Sequence, residues 1–372
     1  MKSKIRAGII ALRLAVIFIL AGSVALWSSE AAGLLGFIGL ISARSYLPCR
    51  EADFYTIGQK KISEAPTQQT TAAARQTLSD GKGEKDLAVT DSDLTLIMKK
   101  AEEKSKSETI DGEIYEYTFT DDGVTDSFGN IRVKNTNKTE IDIEKKLSEE
   151  PEITVYDDKP LVLIYHTHTT ETYQLLDRGF YAEGFLSRSS DENLNMIRVG
   201  KAVKEEIEKM GYGVIHDTSV YDNPYTGAYY RSMDGAEKIL EKYPSVQITI
   251  DLHRDAIQND EGVKTKPTAV IDGKKAAQVM IITGCQEEGN GITDLPDWEK
   301  NLTFALKLQQ SMETMFPGLT RPVFFCPRSY NMSLTPCSLL VEVGTDANTL
   351  EEAVYSGKML GRAIGRVIEN SQ

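Results

Sequence analysis

The stretch Leu161-Val-Leu-Ile-Tyr-His-Thr-His-Thr-Thr-Glu171 constrains this chain more than any other. Leu161 to Tyr165 is a short unbroken apolar run, the pattern of a strand covered on both faces. Its C-terminal end delivers His166, His168 and Glu171 within six residues, and two of the four histidines in the chain fall here. Open α/β sheets bind ligands at the carboxyl ends of their strands. The spacing therefore predicts a polar site at the end of a buried strand.

The rest of residues 155–372 repeats the alternation. Val199, Val203, Ile207 and Met210 give an amphipathic helix over 197–210, ended by Gly211. A strand follows at Gly213 to His216. Met233, Ala236, Ile239 and Leu240 predict a helix over 228–243, stopped by Pro244. Val246 to Leu252 reads as a strand running into His253-Arg254-Asp255. Asp272-Gly273 is a hairpin turn, with Ala277 to Thr283 as the return strand. A helix over 301–316, strands at 322–325 and 338–343, and a last helix opened by the capping box Thr349-x-x-Glu352 complete the pattern. This predicts an α/β fold: a mostly parallel twisted sheet, helices on both faces, and an antiparallel hairpin.

Three strand ends carry residues of one chemical kind: His166, His168 and Glu171 after the first, His253 and Arg254 after the third, and Glu342 near the end of Leu339-Leu-Val-Glu-Val343. A hydrolytic Zn²⁺ takes three His or carboxylate ligands and keeps a fourth position open. His168, Glu171 and His253 are the expected ligands, with Asp191 or Glu192 as alternatives to Glu171. A separate carboxylate must move the proton, and Glu342 is placed for that role. A carboxylate inside an apolar strand is costly to bury without a task or a partner. Arg254 is expected to meet a substrate carboxylate or an oxyanion, and His166 to orient a ligand. Lone histidines are usually structural, and His216 reads that way.

The formal charge of −13 and the lack of a basic stripe exclude nucleic acid as the main partner. Cys49, Cys285, Cys326 and Cys337 form no CxxC pair and read as free thiols. Lys2, Lys4 and Arg6 precede a 21-residue apolar run, Ala7 to Trp27, broken only by Arg13. About 20 apolar residues cross a bilayer. The basic flank predicts a single-pass anchor with its N-terminus inside and the remainder outside; a cleaved signal peptide is the competing reading. Residues 1–50 thus read as anchor and juxtamembrane segment, and 51–93 as a flexible linker rich in Gln, Thr, Ser and Ala. Residues 94–154 read as a small β-rich region with strands near Ile114–Phe119 and Asn130–Lys134.

The chain resembles the stage II sporulation protein P family of endospore-forming bacteria. The resemblance is carried by Ile164-Tyr-His-Thr-His-Thr-Thr-Glu-Thr-Tyr173, Asp251-Leu-His-Arg-Asp255, Leu340-Val-Glu-Val-Gly344 and, upstream, Arg132-Val-Lys-Asn-Thr136. More distantly it is similar to zinc-dependent N-acetylmuramoyl-L-alanine amidases. That similarity puts His168 at their first ligand, His253 at their later strand-end histidine and Glu342 at their catalytic glutamate. Their second ligand, a Glu near a helix start, points here to Asp191 or Glu192. The resemblance implies zinc-dependent peptidoglycan hydrolysis during engulfment of the forespore, with amidase and endopeptidase action. It also implies stage II sporulation proteins D and M as partners, and a location at the cell membrane with the catalytic domain between the mother-cell and forespore membranes.

Two other classes compete. An amidohydrolase-type β/α barrel also uses H-x-H after its first strand, but it would need His216 and about 250 residues, against the roughly 215 present. A wall-binding module without activity would need neither a metal nor Glu342.

Overall fold

A computed structural model describes residues 91–372; the expected anchor and nearly all of the linker lie outside the described residues. Among the described residues no helix is long and apolar enough to cross a membrane.

The main sheet has eight strands, in the order β2-β3-β11-β10-β12-β7-β4-β6. They are β2 (Asp126–Phe128), β3 (Ile131–Asn135), β4 (Pro160–Tyr165), β6 (Gly213–His216), β7 (Ile248–Asp255), β10 (Val279–Gly284), β11 (Val323–Cys326) and β12 (Cys337–Thr345). Neighbours run parallel except for the β2–β3 and β10–β12 pairs. β4, β7 and β12 lie side by side and point the same way. This brings the three polar strand ends foreseen from the sequence to one edge.

Side chains alternate across this sheet, as the pleat requires. Val162 and Ile164 of β4 enter the large core formed with α3 (Met196–Lys209), α5 (Trp298–Met315) and α6 (Leu350–Asn370). Leu163 and Tyr165 face the other way, against Ala236, Ile239 and Leu240 of α4 (Ala228–Lys242). The expected helices on both faces are present. The Thr349–Glu352 capping box starts α6 through reciprocal bonds. Helices α3 and α6 pack backbone to backbone: a Cβ on Gly361 would stand 2.4 Å from the carbonyl oxygen of Val203. No larger residue fits there without separating the helices.

A second, four-stranded sheet has the order β5-β1-β8-β9, with β1 (Ile110–Tyr117), β5 (Phe180–Ala182), β8 (Lys264–Ile271) and β9 (Lys274–Ala277). The Asp272-Gly273 hairpin is present, both turn residues having positive φ. The expected return strand is divided: β9 ends at Ala277, Gln278 bridges to the Phe119 backbone, and β10 continues in the main sheet. The segment 94–154 supplies β1 to this sheet and β2 and β3 to the main one. It is flanked by α1 (Ser92–Ser105) and α2 (Ile143–Ser148). The second sheet is fastened to α6 and to the loop carrying Asp177 by Lys266, a fully buried ammonium 2.6 Å from Glu352 and 2.7 Å from Asp177. A buried cation is tolerated only when paired in this way.

Candidate functional site

The site is built where β4, β7 and β12 end. His253 on β7 lies directly across from Glu342 on β12, and Tyr165 on β4 across from Asp251. Asp251, His253 and Asp255 alternate onto one face of β7, the face that also carries α4. His168, Glu171, His253 and Glu342 are all buried.

His168 follows β4 in a turn fixed by its threonines. The Thr167 amide and hydroxyl donate to Asp251, at 2.8 and 2.6 Å, and the Thr170 hydroxyl donates to Asp222 at 2.6 Å. The His168 ring stacks on Tyr225 at 4.5 Å and meets His253 edge-on at 5.3 Å. Burial, reinforced by the charges of His253, Arg188 and Arg254, lowers its pKa to about 2. It is therefore a neutral donor at any working pH.

His253 is opposite in character. Burial disfavours its charge, but Asp251, Glu171 and Glu342 around it raise the pKa to about 9. Its Nε2 is 2.8 Å from Asp251 Oδ1 and its Nδ1 is 3.7 Å from Glu171 Oε2. Nε2 is close to Asp251 but not aligned for a hydrogen bond, so we regard this as an ion pair. Glu171 accepts from the Arg254 amide at 3.3 Å and lies 3.5 Å from Arg188. Burial pushes its pKa up against these neighbouring positive charges. Glu342 has one oxygen with no partner, and burial first, then Asp255 and Glu171, raise it to about 8.

Among the described residues, no three His, Cys, Asp or Glu side chains are gathered closely enough to hold a metal ion as they stand. The donor set nonetheless suits one. His168 Nδ1 and one oxygen of Glu342 are buried polar atoms without partners. Such atoms are costly unless something else satisfies them. Two imidazoles beside a carboxylate form a zinc-type donor set.

Of the residues singled out in the sequence, His168, Glu171, His253 and Glu342 come together. Between the alternatives for the third donor, Glu171 is the carboxylate beside His253. Asp191 and Glu192 are exposed before α3, where Asp191 accepts from Asn193. His166 is not brought to the cluster. Its ring points towards α3: Nδ1 donates to Leu252 O (2.9 Å), which leaves Nε2 to accept from His216 Nε2 (2.8 Å). His216 is thereby a satisfied strand histidine, held away from His168. Arg254 also differs from expectation. Its guanidinium donates to the carbonyls of Thr172, Asp255 and Ser187, at 2.7, 3.1 and 2.9 Å, and is buried. It fastens the 172–187 loop behind Glu171.

Sequence reasoning passed over Asp251 and Tyr225. Asp251 was legible: two residues before His253 on one strand, it must share that face. Tyr225 was not, because the loop that lays it over His168 has no periodic signal.

A family model described as stage II sporulation protein P matches residues 53–365. A curated stage II sporulation protein P from Bacillus subtilis (strain 168) is 31% identical over 207 residues, 52% of this chain and 48% of that protein. The chain thus matches about half the length of that relative. Among solved structures, N-acetylmuramoyl-L-alanine amidase AmiC2 of Nostoc punctiforme is 14% identical, with 58% of this chain and 98% of that one covered and a TM-score of 0.35. The CwlD amidase from Clostridioides difficile, solved in complex with the GerS lipoprotein, is 13% identical, with 57% and 95% covered and a TM-score of 0.33.

Proposed function

The chain belongs to the stage II sporulation protein P family, and on that premise we propose that it is a zinc-dependent peptidoglycan hydrolase acting in sporulation. The bond cut is the amide between N-acetylmuramic acid and L-alanine, with stem-peptide cross-links as a further substrate. The observation that carries this reading is the meeting of His168, Glu171 and His253 with the unpartnered carboxylate of Glu342, at the ends of three adjacent strands.

In this reading His168, Glu171 and His253 would hold Zn²⁺, which would supply Lewis acidity and a more acidic water. The chain's own residues do the rest. Tyr225 fixes the plane of the His168 ring. Asp251, held by Thr167, orients His253. Arg254 holds the loop that presents Glu171. Glu342 accepts a proton from the attacking water and returns it to the departing amine. Its buried, unpartnered oxygen leaves it free to take and return that proton. The anchor at residues 1–50, an extracytoplasmic location for the catalytic domain, and engulfment partners of the D and M type belong to the same proposal.

The test is digestion of purified peptidoglycan by the full chain, with and without chelator, alongside a metal assay. Released peptides beginning with L-alanine, lost with chelator and restored by Zn²⁺, are the expected result. Wall binding with neither cleavage nor bound metal would instead make the chain a binding module.

A further inference from the structure

The segment Arg132-Val-Lys-Asn-Thr136 has no part in the chemistry above, yet it forms β3 of the main sheet. Ile131 and Val133 enter the core on the α5 side. Lys134 therefore faces the opposite side, the one that carries Glu342. Its ammonium sits over the Phe324 ring, 5.4 Å from the centroid, and the chain from Cδ to Nζ runs under the Asp121–Val124 turn. Phe324 packs on the cluster that includes Met280 and Leu340, and Met280 is the cross-strand partner of Glu342. Among the described residues Lys134 has no hydrogen-bond acceptor and no ion-pair partner. Burial and the nearby Arg321 charge lower its pKa, against the weaker pull of the more distant Asp255 and Asp122 carboxylates. Arg321 is the second cation here: one nitrogen is 2.8 Å from Asp255, and the guanidinium lies 4.7 Å over Phe119. Asp255 follows His253 by two residues on the same face of β7.

A half-buried ammonium beside a guanidinium is costly unless an anion completes it. We propose that Lys134, with Arg321 beside it, is a subsite that binds a carboxylate of the peptide portion of the substrate, on the β3–β11 side of the cleaved bond. This deepens the peptidoglycan reading and rests on it. Arg254, by contrast, directs three donors to backbone carbonyls. Spacing sets the register of the ligand. From β12 to β3 is three inter-strand steps, about 14 Å, and an extended peptide advances about 3.4 Å per residue. Since both side chains reach inward, the carboxylate lies roughly two to four residues beyond the scissile amide. An acidic stem peptide has that length and charge.

The experiment compares two probes on the full chain: a muramoyl tetrapeptide with free carboxylates, and the same compound with every carboxylate converted to carboxamide. Lys134→Gln should raise KM for the free acid about three- to tenfold, the size expected for one partly exposed ion pair. It should leave kcat, the carboxamide KM and the melting temperature unchanged, and Lys134→Arg should restore the free-acid KM. An equal effect of Lys134→Gln on both probes, or none on either, would overturn the subsite. If the native chain cleaves neither probe, the hydrolase reading fails on its own. Equilibrium binding of the same two probes then decides the subsite: selectivity for the free acid that disappears in Lys134→Gln supports it, and equal binding by the native chain refutes it.

Discussion

His166 Nε2 and His216 Nε2 stand 2.8 Å apart between β4, β6 and helix α3, so one imidazole must donate and the other accept. His166 Nδ1 donates to Leu252 O, so its Nε2 is the acceptor and His166 cannot take a second proton without breaking that bond. Burial lowers His166 to about 4, partly offset by Leu252 O and Asp251, and burial with the His166 charge lowers His216 to about 3. Both folded values lie below the unfolded value of about 6.5. The unfolded chain therefore takes up protons first, and stability is lost as pH falls from about 6.5 towards 3 to 4. His168, lowered to about 2, acts in the same direction. His253 and Glu342, raised to about 9 and about 8, act in the opposite direction, so the pair is read by comparison: between pH 7 and pH 5 the melting temperature of His216→Gln should change less in favour of high pH than that of the native chain. Equal changes in the two proteins would show that the pair does not remain neutral.

Gly200 on α3 lies against this pair. A Cβ there would stand 2.5 Å from His216 Nε2 and 2.8 Å from His166 Nε2. Overpacking of this kind costs about 1–3 kcal/mol. Gly200→Ala should lower stability by that amount in denaturant titrations, although alanine is the better helix former. A more stable Gly200→Ala protein would mean that the helix can move aside.

How much of this the sequence revealed depends on the range of the interactions. Local signals were sufficient for β6, whose bounds match, for the Thr349 capping box and for the Asp272-Gly273 turn. They also located His168, His253 and Glu342, because a strand of known length places its last residues at the sheet edge. Signals failed where partners are distant. β1 pairs with β8 about 150 residues away, and no local pattern encodes which sheet a strand joins. The loop contacts of Arg254 were not legible for a related reason: the carbonyls of Thr172 and Ser187 arrive from an irregular loop. The glycines at 357, 361 and 365 carried a legible small-residue spacing, and the close approach of α3 to α6 gives it a purpose.

Arg254→Ala should separate positioning from catalysis. Without the three carbonyl bonds the loop behind Glu171 loosens, and loss of such outer support typically weakens metal affinity about 10–100-fold. Activity should then recover when excess Zn²⁺ is added. A loss of kcat that persists at saturating metal would place Arg254 on the substrate instead.

Glu342→Gln should keep the fold and the bound metal yet lose activity by about 10²–10⁴-fold, the usual worth of a positioned proton carrier. The carboxamide is isosteric, and the oxygen it replaces has no partner to lose. Retention of full activity with metal in place would exclude Glu342 as the proton carrier.

Metal binding should release a proton. In the metal-free chain His253 is raised to about 9 by Asp251, Glu171 and Glu342, so near pH 7 its ring carries a proton that a metal ion must displace. The sign follows from competition: each unit of rising pH removes tenfold of the competing proton, so affinity should increase about tenfold per unit until pH 9 and then level off. His168 adds nothing to this dependence, because it is already neutral throughout the range. Calorimetry of Zn²⁺ binding in buffers of different ionisation enthalpy should therefore report at least one proton released at pH 7.5, that of His253, with any excess coming from Glu342. Affinity independent of pH between 7 and 9 would mean that His253 enters the site already neutral, and that Asp251 does not hold its proton.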